Sequence, residues 1–223
     1  RGAGAVDPVP RALSRARAAR AGLPRRVTVE ARAKLNLGLA LGPRRADGYH
    51  DLVTVFQSVT LADTLVARRA ASGFALRVRH EDAALSGGIP ARARRLVPAG
   101  AGNLVLRAAR SVARELGLPG GARFTLIKRI PAQAGMGGGS ADAAAAIAAM
   151  LALHGRRLSR ARKIRYALQL GSDVPFAITG GTALGTGRGE ILSKLQLASP
   201  LHAIVAVPAW QVSTVEAFRR HDA

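Results

Sequence analysis

The 223-residue sequence predicts an α+β layer fold, on three observations. Residues 27–41 alternate apolar and polar side chains, the period of a half-buried strand. Residues 140–154 are an alanine-rich helical stretch that follows directly on a glycine-rich loop. The remaining apolar runs mix strand and helix without the regular strand–helix–strand repeat of a doubly wound sheet.

Each element follows in order. In VTVEARAKLNLGLAL, residues 27–41, the odd positions from Val27 to Leu41 are apolar, and Thr28, Glu30, Arg32, Lys34 and Asn36 fall between them. Fifteen residues is long for one strand, so a bend or break is expected. Lys34 and Asn36 share the polar face, roughly 7 Å apart at two residues' rise. That pair is either ordinary solvation or one wall of a site. A turn on Asp47-Gly48 follows, then strands over 52–59, 63–69 and 74–79. Residues 80–101 read as loop. Asn103 opens a helix with Val105, Ala108, Ala109, Val112 and Leu116 on one face, and Gly117 ends it. Residues 122–130 read as a strand feeding Pro131 and the glycine loop, and Ser140 reads as the cap of the next helix, which Gly155 stops. A helix from Ser159 to about Leu170, the segment GSDVPF, a short strand, a Gly-Gly turn at 180–181 and a last apolar strand over 201–207 complete the chain.

Composition narrows the function classes. A hydrophobic content of 48% supports a folded core, and no apolar run reaches membrane-spanning length. With no cysteine, disulfides and thiol catalysis are excluded, and the five histidines show no metal-ligand spacing. The net charge is +21, but the lysines are only Lys34, Lys128, Lys163 and Lys194, and arginines are spread along the whole chain. This is compositional bias more than a basic stripe, although such a field attracts anions. A basic nucleic-acid-binding protein stays open as an alternative. Against it stand the missing zinc-finger spacing and an aromatic content of 4%. Residues 1–26 are expected to be a disordered basic arm.

The chemistry begins at the glycine loop. Gly135, Gly137, Gly138 and Gly139 free the backbone to turn sharply and approach a ligand, and the helix start behind them offers free N–H groups. A phosphate suits this geometry, although a run of glycines alone reads equally as a tight loop linking a strand to a helix. No Lys-Ser/Thr pair follows the glycines, so this is not a Walker A loop and the cation must come from elsewhere. Lys34 is the candidate. Asp173, backed by Val174-Pro175, reads on its own as a turn residue, and beside the glycine loop and Lys34 as the candidate to orient an acceptor hydroxyl and take its proton. Phosphoryl transfer asks for this kind of positioning and charge balance.

Four segments, AKLNLGL (33–39), RADGYHDL (45–52), the glycine loop (131–142) and GSDVPF (171–176), together resemble the GHMP kinase superfamily. The match runs from about Val27 to Val207. AKLNL, RADGYH and SDVPF narrow it to the branch that phosphorylates the 2-hydroxyl of 4-diphosphocytidyl-2-C-methyl-D-erythritol, in non-mevalonate isoprenoid precursor biosynthesis. A homoserine kinase-like enzyme is the alternative within the superfamily. The resemblance implies a GHMP-kinase N-terminal ATP-binding domain over 27–198 and the start of a C-terminal domain over 199–223, with most of that lobe lacking and an inactive fragment as one outcome.

The resemblance also implies roles. Lys34 and Asp173 would be catalytic. Pro131, Gly135, Met136, Gly137, Gly138, Gly139, Ser140, Asn103 and Lys128 would bind ATP. Asn36, Tyr49 and His50 would bind substrate, the His stacking on the cytosine ring. As a helix cap Asn103 needs no ligand to explain it, and on a strand Lys128 reads equally as a solvated surface charge. ATP and Mg²⁺ are the implied cofactors, with Ser140 a candidate metal ligand. The family usually has two serines after the glycines, whereas Ala141 follows Ser140 here. Asp142 falls in the first helical turn, where the helix dipole favours an acid. The implied partners are a small cytidine diphosphate substrate and ATP, with neither membrane nor nucleic acid, in a cytoplasmic monomer or homodimer. A plastid location follows instead if the arm is a targeting remnant.

Overall fold

The structure, a computed structural model, describes residues 22–81 and 97–208 together with Ala217, Arg220 and Asp222. Most of the basic arm and of the expected 80–101 loop therefore lies outside the described residues. So does much of 199–223.

Two long antiparallel strands organise the molecule. β1 (Arg26–Arg44) pairs along its length with β2 (His50–Ala70). The bend expected in β1 takes the form of register shifts between Arg32 and Lys34, between Asn36 and Gly38, and between Leu41 and Arg44. Ala31 and Ala33, up to the first shift, are buried, whereas Leu37 and Leu39, from the second shift on, are exposed. The alternation is thus carried to solvent by bulges that reorient the strand. β2 corrects the expectation of two strands over 52–59 and 63–69. The intervening Thr60, Leu61 and Ala62 include no turn former, and extended backbone absorbs the irregularity opposite Ala33.

One edge of β2 takes β1. The other takes two partners at different heights. Residues 64–70 pair with β4 (Gly121–Lys128), and residues 54–57 pair with β5 (Thr182–Thr186). β3 (Phe74–His80) adds parallel to β4, and β6 (Ile191–Leu195) adds antiparallel to β5. Along that edge a gap is left at residues 58–63, facing the bulge of β1. The glycine loop enters there from the end of β4.

Helices cover the sheet. α1 (Leu104–Glu115) is capped by Asn103, whose side chain accepts from the Val105 N–H at 2.8 Å. Gly117, at φ 56°, ends it, and the Leu118 N–H closes back on the Ala113 carbonyl. α2 (Gly138–Leu153) begins earlier than the expected Ser140 start. Gly137 in a left-handed conformation is its N-cap, and Ser140 lies inside the first turn. Its alanines, among them Ala143, Ala146 and Ala149, let it sit close to the sheet and α1, with Ile147 and Met150 filling the core beside Leu65, Phe124 and Leu126. α3 (Arg160–Leu168) starts at the Ser159 cap, as expected.

Two further expectations fail. The short strand after GSDVPF is instead α4 (Val174–Thr179), since Pro175 fits a first helical turn and Val174 and Phe176 bury inward. Residues 201–208 form no strand: Ile204 is wholly exposed and Val205 and Val207 are 40% exposed. An apolar run becomes a strand only where an edge accepts its backbone groups, and among the described residues none does. Among them, too, no helix is long and apolar enough to cross a membrane.

Candidate active site

The glycine loop leaves β4 at Lys128 and enters α2 at Gly138. It walls a cavity of about 400 Å³, within the range of small-molecule sites. Every residue expected to bind ATP lines this one cavity: Asn103 on one side, Lys128 beneath, and Pro131 and Gly135 to Ser140 around the rim.

Lys34 approaches the loop from β1. Its backbone N–H donates to the Met136 carbonyl at 2.9 Å, which ties the strand's bulge to the loop. Its stem crosses Gly137 so closely that a Cβ there would lie 2.9 Å from Lys34 Cγ. The glycine is therefore needed twice, for its left-handed φ of 67° and for the passing lysine. Beyond the glycine, Lys34 Nζ reaches Asn36 Oδ1 at 2.6 Å and Asp173 Oδ2 at 3.4 Å. It also lies 5.5 Å from the centre of the Phe56 ring. The Asp173 side chain is 34% exposed, so the pair opens to solvent and to a ligand.

Residues that sequence reasoning passed over hold this pair. Asn36 Nδ2 donates to Thr54 Oγ1 at 2.7 Å, and that buried hydroxyl donates to the Gly38 carbonyl at 2.7 Å. The amide is thus fixed with its oxygen toward the ammonium. Phe56 stacks on Phe176 at 4.7 Å, so the ring beneath Lys34 also seats the helix that begins after Asp173.

The RADGYHD segment folds on itself. Asp47 Oδ1 accepts from the Tyr49 N–H, and Arg45 pairs with Asp47 and Asp51. The Tyr49 bond and Arg45 hold the Asp47 carboxyl below its ordinary range. The ring of Tyr49 is exposed, with the Arg188 guanidinium 4.7 Å from its centre. His50 points inward: its Nδ1 lies 3.0 Å from the Gly42 carbonyl and its Nε2 2.9 Å from Asp222. Of the two, Tyr49 presents the aromatic plane.

Lys128 departs most from expectation. It is 3% exposed, not a solvated surface charge. Its Nζ donates to Asp63 Oδ2 and, at 2.8 Å, to Asp142 Oδ2. Asp63 Oδ1 accepts the backbone N–H groups of Arg129 and Ile130 at 2.5 and 2.9 Å. Burial disfavours the charge on Lys128, but the two carboxylates outweigh it and push its pKa up. Asp142 is pushed up to about 7, chiefly by burial, with Asp63 adding repulsion against the opposing pull of Lys128. Its Oδ1 is buried with no hydrogen-bond partner among the described residues. Asp142 thus sits past the first turn as one corner of a buried charge cluster. The signal for its partner was in the sequence, since Asp63 interrupts the apolar alternation of Leu61, Leu65 and Ala67.

Residues 103–181, which contain most of the cavity wall and Asp173, match the model of the GHMP kinases N terminal domain. A protein of Rhodococcus jostii named 4-diphosphocytidyl-2-C-methyl-D-erythritol kinase is 44% identical over 200 residues, covering 90% of this chain and 60% of that protein. One of the same name from Salinispora arenicola is 47% identical, covering 89% and 59%. The chain therefore spans about three-fifths of the length of these two relatives. A crystal structure of 4-(cytidine 5'-diphospho)-2C-methyl-D-erythritol kinase superposes with a TM-score of 0.62 at 39% identity, over 77% of this chain and 56% of that one. A homoserine kinase from Cytophaga hutchinsonii shares the fold, with a TM-score of 0.57 at 17% identity over 90% and 65%.

Proposed function

We propose that this chain is the ATP-binding and catalytic part of a kinase that transfers the γ-phosphoryl group of ATP to the 2-hydroxyl of 4-diphosphocytidyl-2-C-methyl-D-erythritol. The observation that carries the reading is the Lys34–Asp173 pair at 3.4 Å, set against Gly137 at the edge of the glycine-loop cavity. Asp173 takes the proton as the acceptor oxygen attacks phosphorus and the bond to the ADP oxygen breaks. Lys34 balances the charge that develops on the transferring group. These are contributions of positioning and electrostatics, which is what this reaction needs. The loop N–H groups and the start of α2 cradle the phosphates.

The cytidyl acceptor is supported by the identity to the two kinases of that name and by the exposed ring of Tyr49, a plane on which a base can stack. Mg²⁺ would be held by the Ser140 hydroxyl and the unpartnered Asp142 Oδ1, both in the cavity wall. Two protein oxygens suit an ion that takes its other ligands from phosphates and water. When bound it would neutralise phosphate charge.

The test is formation of ADP by the purified chain at saturating ATP, with and without the cytidyl alcohol. Turnover should require the alcohol. ADP formation with L-homoserine in its place would turn the reading to the other branch.

A further inference from the structure

Lys128 lies in the wall of the cavity, and a lysine there is most simply read as a phosphate contact. Its surroundings argue otherwise. The ammonium is almost wholly buried, and both of its nearest acceptors are carboxylates of this chain. Those carboxylates belong to different elements. Asp63 is on β2, and its other oxygen holds the N–H groups of Arg129 and Ile130, the first two residues of the loop. Asp142 is on α2, one turn beyond Gly138, where the loop ends. A Cβ on Gly138 would stand 3.2 Å from Lys128 Nζ and 3.0 Å from Ile130 Cγ2. The lysine therefore rests against the loop's exit while its partner grips the loop's entry.

We propose that Lys128 is a positioning residue, a buried clasp that closes the glycine loop at both ends, and that it acts on nucleotide affinity through the loop and not by touching phosphate. The clasp deepens the ATP-binding reading, but its structural half stands without it. Removing the lysine would leave two buried carboxylates facing each other with no cation. Such a defect should be relieved by replacing one of the two acids with a neutral amide. A lost phosphate contact would not be.

The experiment compares the full chain with Lys128→Met, Asp142→Asn and the double variant. It follows the thermal midpoint and the binding of a fluorescent ATP analogue without magnesium. Lys128→Met should lower the midpoint and weaken binding roughly tenfold or more. The double variant should recover most of the lost midpoint and bind within about threefold of Asp142→Asn alone. If Lys128→Met does not fold, that is the extreme of the expected loss, and the double variant still decides. A double variant that regains its midpoint but not its affinity would make Lys128 a direct phosphate ligand. A double variant no more stable than Lys128→Met would overturn the clasp. Recovery of the midpoint in a chain that never binds the analogue would keep the clasp and reject the ATP reading.

Discussion

Lys34 and Lys128 serve one loop, lean on adjacent glycines, and do different work. Both are lysines on strands beside an acid, so their local chemistry looks alike. Solvation and saturation separate them. Lys128 lies in the cavity wall, but its ammonium is almost wholly buried between Asp63 and Asp142. Lys34 meets one carboxylate at 3.4 Å, and that carboxylate is a third exposed. A cation already spent on two buried partners holds structure. One with an incompletely satisfied, open partner is available to a substrate.

The largest expected effect falls on the open pair. Lys34→Ala and Asp173→Ala should each lower kcat by roughly 10²–10³-fold or more, the scale of losing a transition-state charge partner. Their thermal midpoints should stay near that of the parent, because the pair is partly exposed. A large midpoint loss in both would erase the contrast with Lys128. Lys128→Met should cost about 3–5 kcal/mol of stability, the scale of breaking a buried ion pair from one side, as read by denaturant unfolding.

A pH series sharpens the buried side. Asp142 has a folded pKa near 7, above its ordinary value of 3.8. The folded state therefore holds a proton that the unfolded state has released. The resulting stability is full below the unfolded value and is lost as pH rises toward about 7. Asp142→Asn should remove that decline, so the difference between variant and parent should change across pH 4 to 7 and then level off. An unchanged difference would mean that Asp142 carries no such proton.

Smaller effects test how Lys34 is aimed. Gly137→Ala should cost at least about 1–2 kcal/mol from its left-handed backbone alone, and it should also displace the Lys34 stem. Thr54→Val leaves the Asn36 amide without its hydroxyl partner. It should lower kcat about tenfold, on the scale of one hydrogen bond to a positioned group, with little change in KM for ATP. A KM change without a kcat change would place Thr54 outside the Lys34 network.

Much of this was legible in the sequence. The glycine loop, its helix, the Asn103 cap and the meeting of Lys34 with Asn36 all follow from local patterns that obey backbone geometry. The bulges of β1 were legible only as excess length, since which face Leu37 turns to depends on register with β2. The helix after Asp173 was hidden because an apolar run of six residues carries no period that tells strand from helix. The pairing of Lys128 with Asp63 joins residues far apart in the chain, and only the β2–β4 register brings them together. The strand expected over 201–207 failed for a related reason, because apolar content does not supply an edge to pair with.

The most direct test of the division between the two lysines is kcat and thermal midpoint measured on the same preparations of Lys34→Ala and Lys128→Met. Lys34→Ala should lose turnover and keep its midpoint. Lys128→Met should lose its midpoint, with turnover falling only as far as the loop is loosened. The reverse pattern, a stable Lys128→Met without activity beside an unstable Lys34→Ala, would contradict the account.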